Sequence, residues 1–211
     1  MKVKSMLVAA AAAIAVGAVS LANAAVITIA SSNVPKSIPD NQPAGITSTL
    51  NFSGIGNITD VNLILGSVVH TSVPDLHIEL WSPSGLHVTL IKAFTENGIL
   101  VGLGTPDNFT NTVLDDQAPT NLRNGAQPYT GSFNVDHASV GAAPLSAFNG
   151  LNATGIWTLF ISDLATADVG TLQAWSLQIT GNATAVAEPV SMALLGVGLL
   201  GLAAVRRRRA V

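Results

Sequence analysis

Apolar and polar residues alternate along the middle of the chain, in short runs separated by turn-forming residues. Between residues 25 and 184 the clearest runs are 46–52, 61–65, 76–80, 86–90, 157–161 and 175–179. A period of two residues is that of a β-strand with one buried face, whereas we find no convincing 3.6-residue period of an amphipathic helix. The pattern predicts an all-β domain, and six or more short strands favour a β-sandwich or jelly roll.

Turn-forming residues lie between these runs. Ser82-Pro83-Ser84-Gly85 separates two strands, and it predicts a tight hairpin because proline presets the first central position and glycine tolerates positive φ. Residues 95–129 are rich in Asn, Asp, Thr and Gly and contain no clear strand. We expect a long loop there, of the kind that usually binds a ligand or a metal ion.

Residues 1–24 have the composition of a secretory signal peptide. Lys2 and Lys4 precede an apolar run, and Ala22 and Ala24 occupy the −3 and −1 positions, so we expect signal peptidase to cleave before Ala25. An uncleaved membrane anchor is the alternative. Export is the expected consequence, with residues 25–184 forming one domain outside the inner membrane.

Residues 185–211 end the chain with an apolar segment and a basic cluster. The apolar run 190–205 has 16 residues, about 24 Å as a helix, slightly short of a hydrocarbon core of about 30 Å. The following arginines should stay on the cytoplasmic side. We therefore expect a C-terminal apolar helix that anchors a precursor in the inner membrane, facing the periplasm.

Glu188-Pro189 precede the apolar run, and four arginines follow it. This order resembles the PEP-CTERM sorting signal, with Ala187 where that signal has its first proline. The resemblance implies processing by an exosortase and transfer to the cell surface or extracellular matrix, with exopolysaccharide or a surface protein as possible partners. A simple membrane anchor is the alternative. The sorting residues are Glu188, Pro189, Arg206, Arg207, Arg208 and Arg209.

The charge of the middle of the chain excludes one class of partner. Residues 25–187 contain three lysine or arginine residues against eleven aspartate or glutamate residues, a net charge of −8. Nucleic-acid affinity rests on cations that neutralise phosphates, so we expect no nucleic-acid binding. The chain has no cysteine, which excludes disulfides and thiolate chemistry.

The middle of the chain contains a series of short motifs at defined spacing. They include Ile58-Thr59-Asp60-Val61, Leu80-Trp81-Ser82-Pro83-Ser84-Gly85, Leu114-Asp115-Asp116-Gln117-Ala118, Gly155-Ile156-Trp157-Thr158-Leu159 and Trp175-Ser176-Leu177. In order and spacing these motifs resemble the P domain (P/homo B domain) of subtilisin-like proprotein convertases, from about residue 38 to about residue 180. The resemblance implies a jelly-roll β-sandwich, akin to galactose-binding-like domains, that has no active site of its own and supports a neighbouring catalytic domain.

Aspartates near the predicted turns are candidate calcium ligands. Asp107, Asp115 and Asp116 lie in the expected long loop, and Asp75 precedes a strand. Calcium takes six to eight oxygen ligands, and close carboxylates repel unless a cation lies between them. Some prokaryotic P-domain-like modules bind calcium, so the resemblance points to the same cofactor. The alternative is that these aspartates are solvated turn formers.

The three tryptophans divide by the strand face on which they fall. Trp157 and Trp175 share the register of inward apolar residues, and we expect them in the core. Trp81 shares the register of the polar residues His77 and Glu79. We therefore expect Trp81 to be exposed, which makes it the candidate ligand contact, for example beneath a sugar ring.

Signals of catalysis and of zinc binding are weak. The chain has no G-x-S-x-G elbow. His77 and His87 are expected opposite each other across the Ser-Pro-Ser-Gly hairpin, but no third zinc ligand is evident.

Three functions follow in order of preference. The first is a non-enzymatic exported P-domain-like protein of the cell surface or matrix. The second is a carbohydrate- or protein-binding module that acts with a separate exported subtilisin-like protease. The third is an autonomous hydrolase.

Overall fold

A computed structural model describes residues 24–96, 107–135 and 143–184. Each of the six predicted strands overlaps an observed strand, so the all-β prediction is confirmed. The predicted sorting segment, the C-terminal apolar helix and nearly all of the signal peptide lie outside the described residues. In the described ranges, no helix has the length and apolar character needed to cross a membrane.

Ten β-strands make up the described part of the chain. Single turns of 3₁₀-helix connect several of them, at Val73–Asp75, Phe94–Glu96, Leu122–Asn124 and Leu145–Phe148. The strands are β1 (Ala24–Ala30), β2 (Lys36–Ile38), β3 (Gln42–Phe52), β4 (Ile55–His70), β5 (Leu76–Trp81), β6 (His87–Ile91), β7 (Phe109–Leu114), β8 (Gly131–Phe133), β9 (Gly155–Asp163) and β10 (Gly170–Ala183).

These strands form two sheets. The first has the order β1-β10-β4-β7-β8, with β2 also paired to β10, and the second has the order β3-β9-β5-β6. β7 and β8 run parallel, whereas the other paired neighbours run antiparallel. One buried core, to which both sheets contribute alternate residues, makes this a β-sandwich.

Trp157 and Trp175 lie in this core, as predicted, with 0% and 1% of their surface exposed. A buried indole N–H needs an acceptor. Trp157 Nε1 donates to the backbone oxygen of Ala153 at 2.9 Å, and Trp175 Nε1 donates to Ser48 Oγ at 2.7 Å. The hydrogen bond of Trp175 joins β10 in one sheet to β3 in the other.

The prediction of a long loop over residues 95–129 is wrong, because strand β7 lies within it. The two-residue period fails there for a local reason. Phe109 and Thr112 are both buried although they are three positions apart, and Asn111 between them has φ of +50°. Thr112 occupies a core position, and its hydroxyl donates to the backbone oxygen of Tyr129 at 2.7 Å. Because this buried residue is polar, the strand cannot be recognised from apolar residues alone.

Candidate functional site

A groove of about 410 Å³ lies on the outer face of the second sheet. It crosses β3, β9 and β5 and ends at the turn between β5 and β6. This volume falls in the range of small-ligand sites, roughly 300–1,000 Å³. Its lining residues are Thr47, Glu79, Trp81, Ser82, Pro83, Gly85, Ile156, Thr158 and Phe160.

Trp81 forms one wall of the groove. The alternation of β5 buries Leu76, Ile78 and Leu80 and directs the residues between them outward. Trp81 is consequently 37% exposed, which confirms the exposure predicted from its register.

His87 covers one face of the Trp81 ring. The two residues are directly opposite each other on β5 and β6, and their rings stack with centroids 4.1 Å apart and planes inclined by 16°. On the other side of Trp81 lies Thr158 of β9, which lines the groove. The indole face turned away from His87 is therefore the one available to a ligand.

The Glu79 carboxylate fixes the orientation of Trp81. Its Oε2 accepts from Trp81 Nε1 at 2.9 Å, and its Oε1 lies 3.1 Å from His77 Nε2 and 3.4 Å from Thr89 Oγ1. His77 Nδ1 is also 2.6 Å from Glu96 Oε2. This network restricts the indole before any ligand arrives, and such preorganisation reduces the entropy lost on binding.

The hairpin turn predicted at residues 82–85 is present, and it closes one end of the groove. Gly85 N donates to the oxygen of Ser82 at 3.0 Å, and Gly85 has φ of +86°. Pro83 of this turn packs over Gly155 at the start of β9, where a Cβ atom would lie only 2.8 Å from Pro83 Cβ. The position of the turn thus depends on the missing side chain of Gly155.

Two apolar residues of the groove were not predicted from the sequence. Ile156 and Phe160 alternate with the buried Trp157 and Leu159 on β9 and therefore point outward, and Ile156 is 53% exposed. Apolar residues at outward positions of a strand were the signal that would have identified them.

The expected facing of His77 and His87 is wrong, because the turn is centred on Ser84 and places Trp81 opposite His87.

The structure does not bring the four predicted calcium ligands together. Asp107 precedes β7 and Asp115 follows it, and the six residues of this strand span roughly 20 Å. One ion therefore cannot contact both. Within the described ranges, no group of three or more His, Cys, Asp or Glu residues is arranged to hold a metal ion.

The individual environments of these aspartates are structural. Asp116 accepts the backbone N–H groups of Leu145 at 3.1 Å and of Ser146 at 2.7 Å, which satisfies the first turn of a 3₁₀-helix. Asp115 Oδ1 accepts the N–H of Gln117 at 2.7 Å. These carboxylates do not fit the predicted four-ligand site, and calcium binding by the chain stays a prediction.

Asp75 lies at the opposite end of the sandwich from Asp115 and is 4% exposed. Burial raises the pKa of its carboxyl group, a hydrogen bond from Ser72 lowers that pKa, and the nearby Asp163 raises it further. Burial likewise raises the pKa of Asp60, with the neighbouring Asp115 as the next cause. Asp75 and Asp60 therefore belong to two separate groups of carboxylates, Asp75 with Asp163 and Asp60 with Asp115.

His70 and Asp163 form a fully buried pair that joins β4 of one sheet to β9 of the other. His70 Nε2 lies 3.1 Å from Asp163 Oδ2, and both side chains are 0% exposed. His70 Nδ1 accepts the backbone N–H of Ser72 at 3.1 Å, which assigns the ring proton to Nε2. Both nitrogens are thus occupied, and this histidine has no free nitrogen to act as a base toward a serine.

The chain is similar to a known protein family. The family model described as the Proprotein convertase P-domain matches residues 60–179, more than half of the 211 residues. The chain belongs to the proprotein convertase P-domain family. This confirms the resemblance to the P domain that the sequence indicated. No curated protein sequence matches the chain.

The P-domain chain has distant likenesses among solved structures. A serine protease of Aeromonas sobria in complex with its chaperone matches with 17% identity and a TM-score of 0.44, over 76% of this chain and 28% of that one. The protease alone matches with 19% identity and a TM-score of 0.44, over 75% and 27%. The VP2 subviral particle of infectious bursal disease virus gives 20% identity and a TM-score of 0.33, over 75% and 33%. This chain thus spans about a third or less of each matched chain.

Proposed function

We propose that this P-domain chain is a non-catalytic exported module that acts by binding a ligand in the groove beside Trp81. The groove is the observation that carries the proposal. It combines a concave surface, an exposed aromatic ring and a carboxylate that holds the ring in place, which are the features of a small-ligand site.

The arrangement of the buried pair supports the non-catalytic part of the proposal. His70 and Asp163 are the buried histidine–carboxylate pair, and their polar atoms are taken up by each other and by backbone N–H groups. A general base must instead reach a proton on a nucleophile or a substrate. We assign the pair to holding the two sheets together.

The strand order supports the finer assignment to a jelly roll. The order β1-β10-β4-β7 in one sheet and β3-β9-β5-β6 in the other is that of eight strands wound as two Greek keys. β2 and β8 would then be additions at the margins of the first sheet.

An assay for turnover tests the non-catalytic reading. The full chain is incubated with ester, peptide and glycoside substrates beside the variant His70→Gln. We expect no turnover above that of the variant. Turnover that His70→Gln abolishes, with folding retained, would overturn the proposal and restore the autonomous hydrolase.

Export and sorting form a separate part of the proposal. Signal peptidase would release Ala25 as the first residue, the tail would hold the precursor at the inner membrane, and an exosortase would process it near Glu188 and Pro189. The charge order of the sequence supports this route. Expression in a Gram-negative host, followed by mass spectrometry of both termini, tests it: an intact N-terminus in the cytoplasm would contradict export.

Association with a separate exported protease is the second candidate function, and the family match favours it. It predicts that the full chain raises the melting temperature of such a protease.

Calcium binding is a further expectation of the sequence. A melting temperature of the full chain that is equal in EDTA and in millimolar calcium would remove it.

A further inference from the structure

We infer that the groove beside Trp81 binds a neutral saccharide, with one sugar ring stacked on the indole face opposite His87. The inference rests on the proposed binding function and names the chemical class of its ligand. It follows from three properties of the groove: its aromatic wall, its polar groups and its charge.

The aromatic wall suits a sugar ring. A pyranose has one face covered by C–H groups, which carry partial positive charge and are attracted to the negative face of an aromatic ring. His87 stacks on one face of Trp81 at 4.1 Å between centroids, and Glu79 holds the indole N–H at 2.9 Å. The remaining face is thus both exposed and fixed, so that little side-chain entropy is lost when a ring stacks on it.

The polar groups suit hydroxyls. Thr47 and Thr158 line the floor of the groove, and neither hydroxyl makes a hydrogen bond within the part of the chain that the structure describes. A threonine hydroxyl both donates and accepts, and a sugar hydroxyl does the same. A threonine hydroxyl and a sugar hydroxyl can therefore pair with either one as the donor. An apolar ligand would leave both threonine hydroxyls unpaired.

The charge of the groove excludes acidic saccharides. Its lining has one carboxylate, Glu79, and no lysine or arginine, and residues 25–187 carry a net charge of −8. A uronate or a sulfate would be repelled. A cation gains little, because both oxygens of Glu79 already have partners within the protein, Oε2 in Trp81 Nε1 and Oε1 in His77 and Thr89.

The form of the groove disfavours a protein partner. It lies on the face of the second sheet, where β9 and β5 are paired on both sides, so a peptide cannot be added there as a strand. Its volume of about 410 Å³ suits a few sugar units, whereas a stable protein interface needs roughly 800 Å² on each partner.

Calorimetric titration of the full chain tests the inference, in a detergent that contains no sugar. The neutral probes are cellohexaose, maltohexaose and laminarihexaose. Hexagalacturonate, glucosamine hexamer and an extended hexapeptide serve as acidic, cationic and peptide probes. We expect at least one neutral hexaose to bind with a Kd of about 1 mM or tighter, and its affinity to change less than about twofold between low and high salt.

Three variants locate the binding. Trp81→Ala should weaken it at least about tenfold, as expected for the loss of a stacked ring, whereas Trp81→Phe should retain part of it. Val26→Ala, which removes an exposed apolar side chain from the first sheet, is the matched control and should bind as the parent does. The melting temperature of each variant shows that it is folded.

The outcomes separate the two proposals. Binding of the acidic, cationic or peptide probe at Trp81, with no binding of the neutral hexaoses, overturns the saccharide inference and leaves the binding module in place. Absence of binding by every probe also overturns the inference. Turnover of a substrate that depends on His70 overturns the proposed function instead.

Discussion

At the scale of single residues, hydrogen bonds decide what each polar side chain of this protein can do. Glu79 is used to hold Trp81, and Asp116 is used to satisfy two backbone N–H groups. His70 is used between a backbone N–H and Asp163. Glutamate, aspartate and histidine suggest metal binding or catalysis in a sequence. The hydrogen-bond partners of these three residues show that each of them supports the fold instead.

Removal of the buried acceptor should destabilise the whole sandwich. Asp163→Ala leaves His70 Nε2–H without a partner in a position that water does not reach, at a cost of about 3 kcal/mol. The melting temperature should fall by roughly 6–12 °C. The exposed Asp107→Ala is the control and should change the free energy of unfolding by less than about 0.5 kcal/mol. Equal effects of the two variants would show that the pair does not join the sheets.

The raised pKa of Asp60 predicts a pH-dependent effect. Because burial holds this pKa above the ordinary value of an aspartate, 3.8, the folded state binds the proton more tightly than the unfolded state does. Asp60 therefore favours folding below about pH 3.8 and opposes it once the pH exceeds its folded pKa. Urea unfolding at about pH 3 and pH 7 should show Asp60→Asn gaining stability relative to the parent as the pH rises. A relative loss would contradict the direction of the shift.

At the scale of elements, the hairpin turn depends on a glycine in another strand. Gly155 has φ of +129°, and a Cβ there would collide with Pro83. Gly150→Ala is a matched control, because Gly150 has φ of +83° with open space around it. Both variants should lose about 1–2 kcal/mol from backbone strain. Gly155→Ala should lose at least about 1 kcal/mol more in urea unfolding, and equal losses would mean that Pro83 yields freely.

The 3₁₀-helix Leu145–Phe148 depends on a carboxylate from the segment after β7. Asp116→Ala removes the acceptor of two backbone N–H groups and should cost about 1–2 kcal/mol in the free energy of unfolding. Asp116→Asn keeps one acceptor oxygen and should lose about half as much. If the alanine variant were as stable as the parent, the cap would have no energetic role.

Strands were predicted where buried apolar residues recur strictly at every second position, as in β5 and β9. β7 was missed because its buried positions change phase at Asn111 and include Thr112. That strand then separated Asp107 from Asp115, which no count of residue types could reveal. The exposure of Trp81 followed from register alone, whereas its stacking on His87 depended on the length of the β5–β6 turn.

At the scale of the whole molecule, the two sheets share a core and the second sheet carries a groove on its outer face. Trp157 and Trp175 are buried in the core, where their indole N–H groups donate to Ala153 and Ser48. The groove accounts for the exposure of Trp81. The chain has three tryptophans, two in the core and one in the groove. Their signals therefore test the shared core and the groove in one experiment.

The most direct test is the ¹H–¹⁵N spectrum of the full chain, in which three indole N–H signals are expected from the three tryptophans. Two should resist exchange with D₂O, as expected for the buried Trp157 and Trp175. The third, which Trp81→Phe removes, should exchange first and should be the one that shifts when the bound neutral hexaose is added. A ligand that shifts a protected signal, or that binds without moving the signal of Trp81, would contradict the account.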